Sequence, residues 1–418
     1  MAIVKPFVCV HPAGGYYEEV AALPYDVYSR AEAKAFTENR PHSFLNIDRP
    51  ETQFPDDQDM YADCVYEKAS SMLKKWQDDG ILEQEEEACY FIYSLTMNGR
   101  EQTGIVGCSC VDDYLNNVIR KHEFTLAEKE LDRIRHVDVC SAQTGPIFLA
   151  YRHRDDIRGL VNQVKASEPL FDFVSEDGVR HAGWKVSDSA VNKALEAAFA
   201  DIPRTYIADG HHRCASAVKV ALKRREEKKA YTGKEEFNYF LSILFPDDEL
   251  KILPYNRLVK DLNGMSAGDF LKKVEEKYYI QKVSTAVHPR KKGTCGMFLE
   301  GCWYLLEQRP EYVKDDCVEG LDVAYLQNEL LSPILGIHNP KTDHRIEFSG
   351  GIRGTDYLEK RCRTDMAAAF SMYPTSIQEL FAVADSDRMM PPKSTWFEPK
   401  LRSGLFIHRF EEKGKGQE

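Results

Sequence analysis

Residues 209–213 of this chain read Asp-Gly-His-His-Arg, so one carboxylate, two imidazoles and a guanidinium crowd around a single glycine. The apolar run 206–208 precedes them, and the stretch 214–229 carries Ala215, Val218, Ala221 and Leu222 at helical spacing. The cluster therefore falls where a strand feeds a helix. The amides of a first helical turn lack intrahelical partners, and the helix dipole favours negative charge beside them. Gly210 lets the backbone approach a ligand closely, and Arg213 can grip a phosphate with two parallel hydrogen bonds. The chemistry this pattern suits is phosphate handling.

Three further segments carry reactive groups. His122 and Glu123 stand just ahead of a helix predicted over 125–136, which the box Thr125-x-x-Glu128 opens. A carboxylate placed there can serve as a general base toward a substrate hydroxyl. The stretch 391–404 holds Lys393, Ser394, Thr395, Lys400 and Arg402 in a proline-rich loop suited to cover an anion, although it is not a P-loop. In Leu23-Pro24-Tyr25-Asp26-Val27, Pro24 fixes a turn from which Tyr25 and Asp26 can reach a site. Adjacent histidines such as His211 and His212 point apart, so no metal site built by the protein alone is expected. Magnesium would instead arrive with the phosphates, with Asp209 close to it.

The elements that must position these groups are legible in outline. Ser29 with Glu32 caps a helix starting the stretch 29–36, and a second helix is expected over 61–76. Asn98-Gly99 joins strands over 89–97 and 104–111 as a hairpin. Further strands are expected at 145–151, 237–245, 250–259 and 405–410, and a hairpin over 297–308 turns about Glu300-Gly301. Helices are expected at 187–200, from Ser266 to 278, at 323–331, and after a Thr375 cap with Gln378. Strands and helices mix without a regular βαβ repeat, which predicts an α+β fold. A length of 418 residues allows two domains, read as 1–255 and 256–418. The charged tail 411–418 is expected to be disordered.

Composition narrows the function. A net charge of −12 argues against a general nucleic-acid binder. No apolar run is long enough for a bilayer, and the N-terminus lacks the core of a signal peptide. The eleven cysteines are scattered without a C-x-x-C pair, the nearest two being Cys108 and Cys110. That pattern predicts reduced thiols in a cytoplasmic protein rather than a zinc site, with Cys9, Cys140 and Cys214 as small buried hydrophobes.

The Asp-Gly-His-His-Arg run resembles the signature of free serine kinases of the ParB/sulfiredoxin superfamily, which also carry a His-Glu pair before a helix and then a proline-containing strand. The order here is the same: His122-Glu123, the helix, Gly145-Pro146-Ile147-Phe148-Leu149, then 209–213. Over nearly the whole chain, the Leu23–Val27, Lys121–Glu123, Gln143–Pro146 and 391–404 segments are similar to those of a bacterial family known as domain of unknown function 1015. The resemblance implies a ParB/sulfiredoxin-like mixed core with N-terminal and C-terminal α+β extensions. It implies ATP or ADP as cofactor with Mg2+, and Asp209, Gly210, His211, His212 and Arg213 as nucleotide-phosphate residues. Glu123 becomes the catalytic base, His212 shares in neutralising phosphate charge, and free serine exemplifies the small hydroxyl-bearing substrate. An interval lengthened around 161–187 departs from the compact kinases. Two other readings stay open: a non-catalytic nucleotide-binding regulator of the ParB type, and redox chemistry at Cys214, which follows Arg213 directly.

Overall fold

Asn98 and Gly99 both adopt left-handed backbone, with φ of 53° and 75°. They close the expected hairpin between the strands Phe91–Met97 and Arg100–Cys110. The computed structural model that shows this describes residues 1–125, 127–228 and 230–410, with 128 and 129 by their backbone alone. The tail 411–418, and the side chain of Glu128 from the expected capping box, lie outside what is described. The architecture is mixed α+β, and the chain divides into two units. One comprises Met1–Arg120, Thr125–Leu250 and Pro399–Glu418; the other comprises Lys121–Phe124 and Lys251–Glu398.

The first unit is built on a nine-stranded mixed sheet. Its order runs Ile119–Arg120, Thr205–Asp209, Ile147–Tyr151, Tyr239–Pro246, Arg100–Cys110, Phe91–Met97, Arg180–Lys185, Phe171–Val174, with Val4–Lys5 added beside Arg100–Cys110. Among the described residues two of its pairings are parallel: Thr205–Asp209 with Ile119–Arg120, and Tyr239–Pro246 with Ile147–Tyr151. The interval lengthened around 161–187 supplies the last two strands, an edge hairpin. Leu149, Ile207, Phe240 and Leu244 of the sheet are buried with Leu195, Phe199, Val218 and Ala221 of the helices Ser189–Ala200 and His211–Glu227. A smaller sheet joins Leu82–Gln84, Cys9–Pro12, Ile407–Arg409 and Ala142–Gln143. Beside it Phe44, Leu45, Leu73 and Trp76 form a second core with the helix Asp63–Asp78. The helix Arg30–Thr37 carries the expected capping box between Ser29 and Glu32.

The second unit holds a six-stranded antiparallel sheet, in the order Tyr278–Val283, Cys302–Gln308, Thr294–Leu299, Ala368–Ser371, Tyr255–Val259, Ile346–Gly350. Leu258, Phe298, Trp303 and Leu358 pack in its core. Some expectations need correction. The strands expected at 237–245 and 250–259 belong to different sheets, because the chain changes unit after Leu250. The helix Ile377–Asp385 is capped by Ser376 with Glu379, one residue beyond the Thr375–Gln378 pair. Both pairs fit the capping pattern, and a carboxylate is the stronger acceptor for the cap amide. The expected helix at 323–331 is α over Asp322–Leu326 and π over Gln327–Leu331.

Candidate functional site

Tyr206, Ile207 and Ala208 are buried in the Thr205–Asp209 strand, and the pairing with Ile147–Tyr151 slips between Ile207 and Asp209. Such an irregularity re-aims the side chain that follows. Gly210 then takes a left-handed conformation, φ 92° and ψ 32°, and the helix His211–Glu227 begins. Its first intrahelical bond runs from the Cys214 amide to the Gly210 carbonyl. The strand–glycine–helix junction of the sequence reading is therefore present.

Arg213 folds back over this turn. A Cβ at position 210 would lie 3.1–3.2 Å from Nε, Nη2 and Cζ of its guanidinium. Its Nη1 donates to the Pro146 carbonyl, and a Cβ at Gly145 would meet Arg213 at 3.7 Å and the Ser403 hydroxyl at 3.2 Å. Asp209 accepts from the Gly210 amide at 2.8 Å and from Lys400 Nζ at 2.9 Å. Burial would raise the Asp209 carboxyl, but Lys400 and Arg213 beside it, with the Gly210 amide, hold it well below the usual carboxylate range. One carboxylate and two cations thus surround one helix start, an arrangement suited to a polyanion. Gly210→Ala is expected to cost about 1–2 kcal/mol, since a left-handed alanine is strained. It should also push the guanidinium aside, which thermal unfolding with and without a nucleotide would register.

Beneath Arg213 lies a cavity of about 30 Å3, lined among others by Tyr25, Asp48, Arg133, Thr144 and Ser403. The buried Asp48 accepts from the Thr144 hydroxyl at 2.8 Å. Arg133 stacks on the Tyr25 ring at 3.9 Å and bonds Asp132 through Nε at 2.9 Å. Tyr25 thus reaches this region, whereas Asp26 is exposed. Gln143, Thr144 and Gly145, with Pro24 and Tyr25, form walls of this cavity beside Arg213.

The other expected site residues fall elsewhere. Lys400 joins Asp209, but Arg402 turns to Asp177, which it meets at 2.5 Å. Lys393, Ser394 and Thr395 belong to the second unit. There the Lys393 carbonyl accepts from Arg257 at 3.1 Å, and the Ser394 hydroxyl donates to the Pro391 carbonyl at 2.6 Å. The segment Lys121–Phe124, with His122 and Glu123, is also part of the second unit. His122 is buried and its carbonyl accepts from the Met390 amide at 2.8 Å, while Glu123 is half-buried. His211 is buried and His212 half-buried. Cys214 is fully buried, as are Cys9 and Cys140, which fits packing better than redox exchange.

Residues 4–324 match the family described as Protein of unknown function (DUF1015). The chain belongs to the DUF1015 family. No curated protein matches it. Among solved structures, this DUF1015 chain is similar to a mutant free serine kinase in complex with ADP, with a TM-score of 0.36, 12% identity, and 72% of this chain and 91% of the other covered. It is also similar to SbnI with a C-terminal truncation from Staphylococcus aureus, at a TM-score of 0.39, 10% identity, and coverage of 72% and 85%. A conserved hypothetical protein from Pyrococcus furiosus gives 0.33, 12%, 72% and 95%.

In this DUF1015 protein the sequence reading missed Asp48 and Arg133, and with them the network of Arg402 with Asp177 and His181. None of these carries a local motif. Each becomes visible only when distant segments meet. No helix among the described residues is long and apolar enough to cross a membrane.

Proposed function

We propose that this protein is a small-molecule kinase that transfers a phosphoryl group from ATP or ADP to a hydroxyl-bearing substrate such as free serine. The observation that carries the reading is Arg213 folded over the left-handed Gly210 at a strand-to-helix junction, with Lys400 on the adjoining carboxylate. Phosphoryl transfer asks a protein chiefly for positioning and charge stabilisation. In this reading the first-turn amides, Arg213, Lys400 and His212 hold the nucleotide phosphates, and Gly210 gives them room. Asp209 retains acceptor lone pairs beyond its two bonds, so its carboxylate suits the Mg2+ that a nucleotide brings. That ion neutralises phosphate charge when bound.

Glu123 is assigned as the base on the likeness of the His122-Glu123 pair to that of the kinases. It takes the hydroxyl proton as the substrate oxygen bonds to the terminal phosphorus, and the diphosphate or monophosphate nucleotide leaves with the electrons of the broken P–O bond. The first unit is assigned by the same likeness to the ParB/sulfiredoxin superfamily. The scattered cysteines, none joined in a disulfide, fit a reducing cytoplasm, and the acidic balance fits a small-molecule partner rather than nucleic acid.

The test uses isotope-labelled ATP and ADP with a panel of hydroxy amino acids. The expected result is a phosphorylated product from wild type and a loss of at least about 100-fold in Glu123→Gln, with nucleotide affinity kept. Nucleotide binding without any product in wild type would instead support the regulator of the ParB type. Neither binding nor product overturns both.

A further inference from the structure

We propose that the first unit carries a second binding site, distinct from the nucleotide-phosphate region, for a small organic monocarboxylate with an apolar body, held by Arg402. The site is a cavity of about 580 Å3 walled by the N-terminal helices, the turn of the edge hairpin and Arg402. That volume lies within the range of small-molecule sites.

Arg402 is buried, with only 4% of its surface exposed, and most of its guanidinium is spent on the protein. Nε donates to His181 Nε2 at 3.3 Å, and Nη2 donates to the Ser175 hydroxyl at 3.0 Å and to Asp177 at 2.5 Å. Nη1 donates to none of the described residues. A buried guanidinium is costly to desolvate, and one with an idle N–H facing a cavity is an offer to an acceptor. Ser43 lines the same cavity, and its buried hydroxyl has no hydrogen-bond partner among the described residues. The Ser43 hydroxyl is sealed from the cavity, so the spare donor on this wall belongs to Arg402.

The rest of the cavity selects the ligand. Ala21, Leu23, Tyr28, Phe36 and Pro41 supply apolar surface. Glu18, Glu19, Glu176 and Asp177 also line it. Three of these acids are already paired, Glu19 with His42, Glu176 with Arg40 and Asp177 with Arg402. Four carboxylates around one guanidinium repel a dianion such as phosphate far more than a single carboxylate. An apolar body behind one carboxylate answers both the guanidinium and the hydrophobic wall.

The probe is 3-phenylpropionate, titrated calorimetrically into the full-length protein, against its amide and against inorganic phosphate. The expected result is saturable binding of the carboxylate, at least about 10-fold weaker binding of the amide and of phosphate, and retention of the site when nucleotide is absent. Arg402→Lys, which keeps the charge but loses the fork, should weaken the carboxylate at least about 10-fold. Ser43→Ala removes a hydroxyl sealed from the cavity and should leave the carboxylate affinity within about 2-fold, a control for the wall itself. Absence of binding to wild type at millimolar carboxylate, or equal binding of acid and amide, overturns the proposal. So does unchanged affinity in any folded Arg402→Lys protein. Absence of any phosphorylated product or nucleotide binding in wild type leaves this titration untouched, so the two readings fail separately.

Discussion

Arg213→Ala is expected to weaken nucleotide binding by at least about 100-fold, which corresponds to roughly 2.7 kcal/mol. A charged hydrogen bond to phosphate contributes roughly 1.5–3 kcal/mol, and the guanidinium can make two. Arg213→Lys restores the charge without the fork and should recover only part of the affinity. Both are measured by calorimetric titration with ATP and ADP; wild-type affinity in Arg213→Ala would remove the phosphate site from this helix start. Lys400→Met makes a companion test. Asp209 would then lose its ion-pair partner, and its carboxyl should titrate at higher pH. A carboxyl held low adds stability above its unfolded value, about pH 4, and that stability is lost progressively as pH falls from there to the folded value. Lys400→Met should therefore be less stable than wild type at pH 7 and lose less of its stability on acidification below about pH 4, as thermal unfolding across that range would show.

Acidification should act in opposite senses on the two units. Burial first, and the nearby Arg402 second, bring the ring of His181 down to about 3, against Asp177 which pulls it up. In the unfolded chain the ring takes a proton near pH 6.5. Between those values the unfolded state binds more protons, so stability falls as pH falls, by roughly 5 kcal/mol across the whole window at about 1.4 kcal/mol per unit. Asp322 in the second unit is the reverse case. Burial raises its carboxyl to about 6, Glu379 adds to the rise, and amide bonds from Gly293 at 3.0 Å oppose it. Its folded state binds a proton before the unfolded state does, so stability grows as pH falls from 6 to about 4, by roughly 3 kcal/mol. Hydrogen exchange at pH 7 and pH 4.5 should show protection falling around His181 and rising around Asp322. His181→Gln and Asp322→Asn should each flatten their own response; parallel loss of protection in both units would contradict the assignment.

Local chemistry made much of the scaffold readable. Ser29 with Glu32, Ser266, and the turns at Asn98-Gly99 and Glu300-Gly301 act within a few residues, and each was legible from side-chain chemistry alone. The strand, glycine and helix around Asp209 were legible for the same reason. Contacts over long separations were not. Lys400 meets Asp209 across 191 positions and Arg402 meets Asp177 across 225. Lys400 and Arg402 sit two residues apart in one loop, yet they serve different places. Nothing in that loop's composition separates them, because the partners that draw them apart lie in other segments. Asp48 was invisible for a similar reason, since its partner Thr144 follows 96 positions later.

The return of residues 399–410 to the first unit has a consequence for biosynthesis. The nascent chain presents Asp209 and Arg213 long before Lys400 has left the ribosome, and the whole stretch 251–398 is translated in between. The Ile407–Arg409 strand, which lies between Cys9–Pro12 and Ala142–Gln143, arrives later still. Until then the small sheet has a gap at its centre and Asp209 lacks its lysine, so the machinery on the first unit is completed only once residues 399–410 have followed the whole of the second unit off the ribosome.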